Sequence, residues 1–164
     1  MVEAVVHADG RLILQGRTYR CALGHGGVRA DKEEGDGATP LAVLPLRLVY
    51  FRADRVRIPV SVVPREALAP DDGWCDDPVD RAYNTLIRLP NPARHEELWR
   101  ADALYDVIGV LGWNDDPVVR RRGSAIFLHV ARPDYGPTEG CVALALPDLL
   151  AVLAAGVDSL RVIV

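Results

Sequence analysis

The residues with the clearest chemical potential lie between positions 127 and 142. Phe127-Leu128-His129-Val130 ends an apolar run on a histidine, and Thr138-Glu139-Gly140-Cys141-Val142 opens the next run on a cysteine. A polar, proline-bearing loop separates them, and the 12-residue spacing lets that loop bring both side chains together across neighbouring strands. Such a pair suits nucleophilic acyl transfer: cysteine attacks as thiolate, so it needs a base or a positive field beside it, and histidine is the usual partner. Gly140 lets the backbone approach closely and would leave the amides of Gly140 and Cys141 to face an oxyanion. The same residues also read as a small buried side chain at a strand start and a hydrogen-bonded core histidine. Spacing alone does not separate the two readings.

The elements that must carry this pair are mostly strands. Apolar runs at 2–6, 12–14 and 19–23, broken by Asp9-Gly10 and Gly16, predict a β-meander. Residues 24–40 are glycine-rich with few apolar side chains, which predicts a long loop of the kind that often carries function. Alternation returns at Leu46, Leu48, Tyr50 and at Val56, Ile58, Val60, Val62, with Pro45, Pro59 and Pro64 confining these runs to edges or strand ends. Residues 69–84, rich in Asp and Pro, read as irregular, with Trp74 and Tyr83 placed to wall a cleft. Residues 93–100 read as a short helix with His95, Leu98 and Trp99 on one stripe. The runs at 105–112 and 124–130 are buried strands, Pro147 to Gly156 is a helix, and Leu160, Val162, Val164 a last strand. The expected architecture is one mainly β domain over residues 1–164, a sandwich or barrel of about eight strands capped by two short helices.

Composition narrows the function. A formal charge of −4 over 164 residues gives no basic footprint for a nucleic-acid backbone. No apolar run approaches the roughly 18 residues a membrane helix needs. Cys21, Cys75 and Cys141 are too few and too odd a set for a disulfide framework, and no Cys-x-x-Cys pair occurs. Cys21 and His25 lack a second pair at metal spacing, the glycines of 24–37 lack a following Gly-Lys-Ser/Thr, and Asp71, Asp72, Asp76 and Asp77 lack calcium-loop spacing. Neither metal nor cofactor is therefore expected. The first ten residues show no basic n-region or sustained apolar run, so a cytoplasmic protein with reduced thiols is the expectation.

Thr138-Glu139-Gly140-Cys141-Val142 downstream of Phe127-Leu128-His129 resembles the signature of the L,D-transpeptidase catalytic (YkuD-like) domain, in which Ser or Thr, any residue, Gly and Cys follow an upstream histidine. Gly35-Asp36-Gly37-Ala38-Thr39-Pro40 is similar to that family's Gly-x-x-Thr-Pro loop, and the two patches occur in the family's order. The resemblance implies a β-rich fold around a cysteine nucleophile that cuts the bond between diaminopimelate and D-alanine in peptidoglycan stem peptides. Carried over by residue, it makes Cys141 the nucleophile and His129 the base. It also gives the Val130 carbonyl the task of fixing the imidazole tautomer, Gly140 and Cys141 the oxyanion amides, and Thr138 the shape of the turn. It implies a carbapenem as covalent inhibitor. Two positions depart from the family: Glu139 stands where histidine is usual, and Ala143 where arginine is usual. The second departure leaves the substrate carboxylate to another arginine, with Arg132, Arg81 and Arg29 as candidates.

Three functions remain open from these residues. Attack of water on the thioester makes an L,D-carboxypeptidase of soluble muropeptides in cell-wall recycling, the reading favoured by the expected cytoplasmic location. Attack of another stem's amine makes an L,D-transpeptidase, and loss of turnover would leave a stem-binding module.

Overall fold

The computed structural model describes residues 1–164. β1 (Glu3–His7), β2 (Arg11–Leu14) and β3 (Arg17–Arg20) form the expected antiparallel meander, with Gly10 and Gly16 at φ +92° and +79° in its two turns. β4 (Val28–Arg29) and β5 (Thr39–Pro40) pair as a short parallel ladder inside the glycine-rich segment. The long β6 (Val43–Phe51) is followed by β7 (Arg65–Ala67), β8 (Asp72–Cys75), β9 (Leu86–Arg88), β10 (His95–Glu97), β11 (Val107–Leu111), β12 (Phe127–Val130), β13 (Val142–Leu144), α1 (Leu146–Ala154) and β14 (Ser159–Ile163).

Eight of these strands follow one another in the main sheet, in the order β13-β12-β11-β6-β14-β1-β2-β3, with β7 paired to β6 beside this path. Past β3 the chain turns onto the opposite edge. Ala22 N donates to Ala143 O at 2.8 Å and Ala143 N to Ala22 O at 3.0 Å, while Thr138 N donates to Leu23 O at 2.9 Å and His25 N to Thr138 O at 2.8 Å. The sheet is thereby curled nearly closed, and the segment leading to Cys141 is pinned at the seam. No helix is long and apolar enough to cross a membrane.

The core follows from the alternation. Leu12, Leu44, Leu128, Leu144 and Leu160 are fully buried inside the curl, and α1 closes it with Leu149, Val152 and Leu153. Each such side chain stabilises the fold by about 1.5–3 kcal/mol through loss of apolar surface. Gly156, at φ +92°, lets the chain leave α1 in a conformation that L side chains rarely adopt.

Three expectations differ from the structure. Residues 93–100 are not a helix: His95–Glu97 form β10, which pairs with β8 in a second sheet of order β10-β8-β9. An isolated eight-residue helix is marginal in water, and the β8 ladder offers these residues hydrogen bonds that a local turn cannot match. Residues 56–62 form no strand, and Ile58, Val60 and Val62 are exposed. Pro59 lacks an amide donor, and β7 takes the available β6 partner. Residues 69–84 contain β8, whose four residues are all buried. The sequence reading of two helices thus becomes one.

Candidate active site

β12 and β13 run parallel, with Leu128 opposite Val142 and His129 opposite Ala143. Cys141 immediately precedes β13, which sets it beside Phe127 and makes it a diagonal neighbour of His129 on one face. The Phe127 amide donates to Cys141 Sγ at 3.4 Å, and the thiol donates to the Ala125 carbonyl at 3.2 Å. His129 Nδ1 lies 2.9 Å from the Val130 carbonyl. A carbonyl only accepts, so the neutral ring must carry its proton on Nδ1. Nε2, with no hydrogen-bond partner in the protein, is then the basic nitrogen.

Both groups are neutral at rest. Burial pushes the Cys141 thiol up to about 12, with Glu96 adding to the rise. Burial likewise brings His129 down to about 4, against the opposing Val130 hydrogen bond and with Arg100 and Arg132 lowering it further. The arrangement is a thiol beside a base, not a thiolate beside an imidazolium. Around the imidazole stand edge-on aromatic rings: Tyr105 lies 5.3 Å from His129 and 5.8 Å from Phe127, and Trp74 lies 5.2 Å from Phe127. The Tyr105 hydroxyl donates to Glu96 Oε1 at 2.7 Å, and burial raises the affinity of Glu96 for its proton.

The turn ahead of the cysteine is held by Thr138. Its Oγ1 donates to the Cys141 carbonyl at 2.7 Å and accepts from the Gly140 amide at 3.1 Å. The Gly140 amide is therefore committed, which corrects the expectation that it would be free for an oxyanion. The Cys141 amide donates to no protein group and is left for that task. Gly140 has φ +132°, and a Cβ there would come within 2.6 Å of the Ala38 carbonyl. Glycine at this position thus lets the Gly35–Pro40 patch lie directly against the nucleophile turn.

A cavity of about 450 Å³ opens onto His129 and Cys141, and Arg132, Thr138, Glu139 and Ala143 also form its wall. Most of its charged side chains already have ionic partners. Lys32 pairs with Asp36 at 2.6 Å, Arg94 with Asp76 at 3.1 Å, Arg100 with Asp102 at 2.6 Å, and Glu139 with His25 at 2.9 Å. Arg132 has no carboxylate partner and donates no hydrogen bond, so of the three candidate arginines it is the one poised for a ligand carboxylate. Arg29 is held by Asp31, and neither Arg29 nor Arg81 lines the cavity.

Trp74 and Tyr83 are absent from the cavity wall. Trp74 is buried, donates to Asn84 Oδ1 at 3.0 Å and packs behind Phe127. Tyr83 is buried, and its hydroxyl donates to Glu34 Oε1 at 2.6 Å. Sequence reasoning missed Glu34, Glu96, Tyr105 and Lys32. The helix expectation at 93–100 hid Glu96, and a buried lysine in a polar loop carries no periodic signal. Cys21 and Cys75 are buried away from the cavity, and no cluster of three His, Cys, Asp or Glu residues suits a metal ion.

A β-barrel seam that holds a thiol, a tautomer-fixed imidazole and an unpaired backbone amide at one cavity has the parts of a thiol acyl-transfer site. The chain belongs to the L,D-transpeptidase catalytic domain (YkuD) family, whose model matches residues 3–164. It is a family of cysteine enzymes acting on peptidoglycan. Among solved structures, the crystal structure of Mycobacterium tuberculosis L,D-transpeptidase 1 is similar at 12% identity and a TM-score of 0.41, covering 98% of this chain and 60% of that one. This chain thus spans less than two thirds of that chain's length. Comparison with curated proteins found no match.

Proposed function

We propose that the protein cleaves the diaminopimelate-D-alanine bond of peptidoglycan tetrapeptide stems through a Cys141 thioester and acts chiefly as an L,D-carboxypeptidase. Arg132 carries this reading: it is the unpaired guanidinium in a cavity that also holds Cys141 and His129. The terminal D-alanine carboxylate pairs with Arg132, which sets the scissile carbonyl over Cys141.

His129 Nε2 takes the thiol proton as Sγ forms its bond to the carbonyl carbon. The Cys141 amide faces the oxyanion. Collapse breaks the C-N bond, and His129 returns the proton to the departing D-alanine amine. Water then attacks the thioester, His129 takes a proton from it, and collapse returns the proton to Sγ. The products are tripeptide and D-alanine, and one water is consumed. A cavity of about 450 Å³ suits the reactive end of one stem, and departing D-alanine makes room for water.

The substrates we assign are soluble stems released by wall turnover, and on that ground we assign the reaction to the cytoplasm. Recovery of the protein with the wall or periplasmic fraction would overturn the location.

Transpeptidation has its own support. A second cavity, lined by Glu96, Glu97, Trp99, Arg100, Ala101 and Asp102, shares Glu96 and Arg100 with the first, and Glu97, which has no ionic partner, offers its carboxylate to an acceptor ammonium. Mass-spectrometric product analysis of tetrapeptide, with and without an amine acceptor, separates the two. Free tripeptide in both reactions supports the carboxypeptidase, whereas joined stems without tripeptide overturn it. The departures at Glu139 and Ala143 from the family's usual histidine and arginine favour a third reading, a stem-binding module without turnover. Intact-mass measurement after mixing with a carbapenem tests that reading. An adduct lost in Cys141→Ala supports the acyl-enzyme, and no adduct favours the binding module.

A further inference from the structure

Lys32 is the chain's single lysine among 19 cationic residues, and its side chain is 3% exposed. It lies in the segment between β4 and β5, and together with Glu34, Gly35 and Ser124 it forms part of the cavity wall. A buried ammonium is costly unless it is paired, and Asp36 Oδ1 at 2.6 Å and the Glu33 carbonyl at 3.1 Å account for two of its three protons. Asp36 itself is held by the amides of Glu33 and Ala38, so the ion pair is fixed to the backbone. One ammonium proton is left over.

Glu34 is arranged in the same one-sided way. Tyr83 and Ser124 both donate to its Oε1, each at 2.6 Å, and Oε2 has no partner. The Tyr83 hydroxyl is in turn fixed by the Gly123 amide at 3.0 Å. Gly123 lies against Lys32, since a Cβ there would meet Lys32 Cε at 3.1 Å. The two charges therefore occupy one corner of the cavity, and no ion pair joins them. Each keeps hydrogen-bonding capacity for something else.

A fixed cation and a fixed carboxylate side by side, each with one position open, match a ligand group that carries an ammonium and a carboxylate on one carbon. We propose that Lys32 and Glu34 form a subsite for the free amino-acid head of the substrate's third residue, Glu34 taking the ammonium and Lys32 the carboxylate. The proposal rests on the stem-peptide reading above, in which the diaminopimelate side chain ends in such a head. It makes Lys32 and Glu34 specificity-determining residues at the end of the substrate remote from the D-alanine carboxylate on Arg132. Tyr83 and Ser124 are positioning residues that act through Glu34. A purely structural Lys32, locking the loop through Asp36, predicts instead that its loss weakens all ligands alike.

The test is calorimetric binding to the full-length Cys141→Ala protein, where turnover plays no part. The probes are the tetrapeptide with unmodified diaminopimelate, the same peptide with its side-chain amine acetylated, and the same peptide with its side-chain carboxylate amidated. Each modification is expected to weaken binding about 10- to 100-fold, the range for hydrogen bonds to charged groups. Added to the Cys141→Ala protein, Glu34→Gln should abolish the discrimination against acetylation and Lys32→Met the discrimination against amidation. Equal affinity for the three peptides, within about twofold, overturns the subsite, as does absence of any stem binding. The ligand comparison on otherwise unaltered protein decides the matter even where Lys32→Met fails to fold. Discriminating binding together with no D-alanine release by the wild type would keep the subsite and reject the reaction.

Discussion

Acidification should separate the histidine's contribution to stability from its role as base. Native His129 holds a proton only below about 4, against an ordinary value of 6.5, because its ring is buried and the Arg100 and Arg132 guanidiniums add to the effect. Between those values the unfolded chain binds a proton that the native protein does not, so stability is lost as pH falls through this window. The drop from 6.5 to about 4 corresponds to about 3 kcal/mol, nearly all of it expressed by pH 4. For a domain of this size that is a substantial share of the about 5–15 kcal/mol that holds native proteins together.

The assay is urea denaturation of wild type and His129→Gln at pH 7.0, 5.5 and 4.0. Glutamine keeps a donor for the Val130 carbonyl and has no proton to gain. Wild type should lose about 3 kcal/mol more than His129→Gln between pH 7 and 4, a difference that cancels other acids such as Asp102 and Glu96. Carbapenem acylation of wild type should stay level from pH 7 to about 5 and fall near 4. Parallel losses in the two proteins, or an acid limb centred near 6.5, would falsify a buried neutral imidazole at this position.

Three substitutions probe the rest of the site. Arg132→Gln should lower kcat/KM for tetrapeptide about 10- to 100-fold while leaving the tetrapeptide amide, which lacks the terminal carboxylate, unchanged. Steady-state kinetics on the two peptides reads this out. Gly140→Ala should cost at least about 1–3 kcal/mol in urea denaturation, because φ +132° strains any L side chain and its Cβ meets the Ala38 carbonyl at 2.6 Å. Thr138→Val removes the groups that bond the Gly140 amide and the Cys141 carbonyl. It should cost about 1–3 kcal/mol and slow carbapenem acylation, followed by intact mass.

What the sequence made legible was local. The β1 to β3 meander, the helix between Pro147 and Gly156, and the paired strands β12 and β13, which carry His129 and follow Cys141, come from short-range alternation and turn glycines. What it hid was tertiary. Nothing near Ile58, Val60 and Val62 says that β7 takes the neighbouring β6 partner, and nothing near Glu96 says that β8 will pair with its strand. Tyr83 was legible as an aromatic in a loop near a cleft. Its hydroxyl orients Glu34, 49 residues earlier in the chain, and only the fold shows that contact. The Gly140 amide failed as an oxyanion donor for a reason also outside simple spacing: Thr138 reaches it first.

The resting thiol has a further consequence. With its pKa pushed up to about 12 and its S–H donating to the Ala125 carbonyl, Cys141 presents almost no thiolate at neutral pH. A reagent that needs thiolate in advance should therefore find it unreactive. A ligand that places a carbonyl over Sγ, with its oxygen near the Cys141 amide, lets His129 take the proton as the bond forms. The two classes of reagent should diverge. Iodoacetamide labelling of Cys141, resolved by peptide mapping, should be negligible at pH 7 and still rising above pH 9, and His129→Ala should leave it nearly unaltered. Carbapenem acylation should be measurable at pH 7 and fall sharply in His129→Ala. Iodoacetamide labelling that levels off below pH 8 would show a preformed thiolate, and the neutral-pair mechanism would then have to be abandoned.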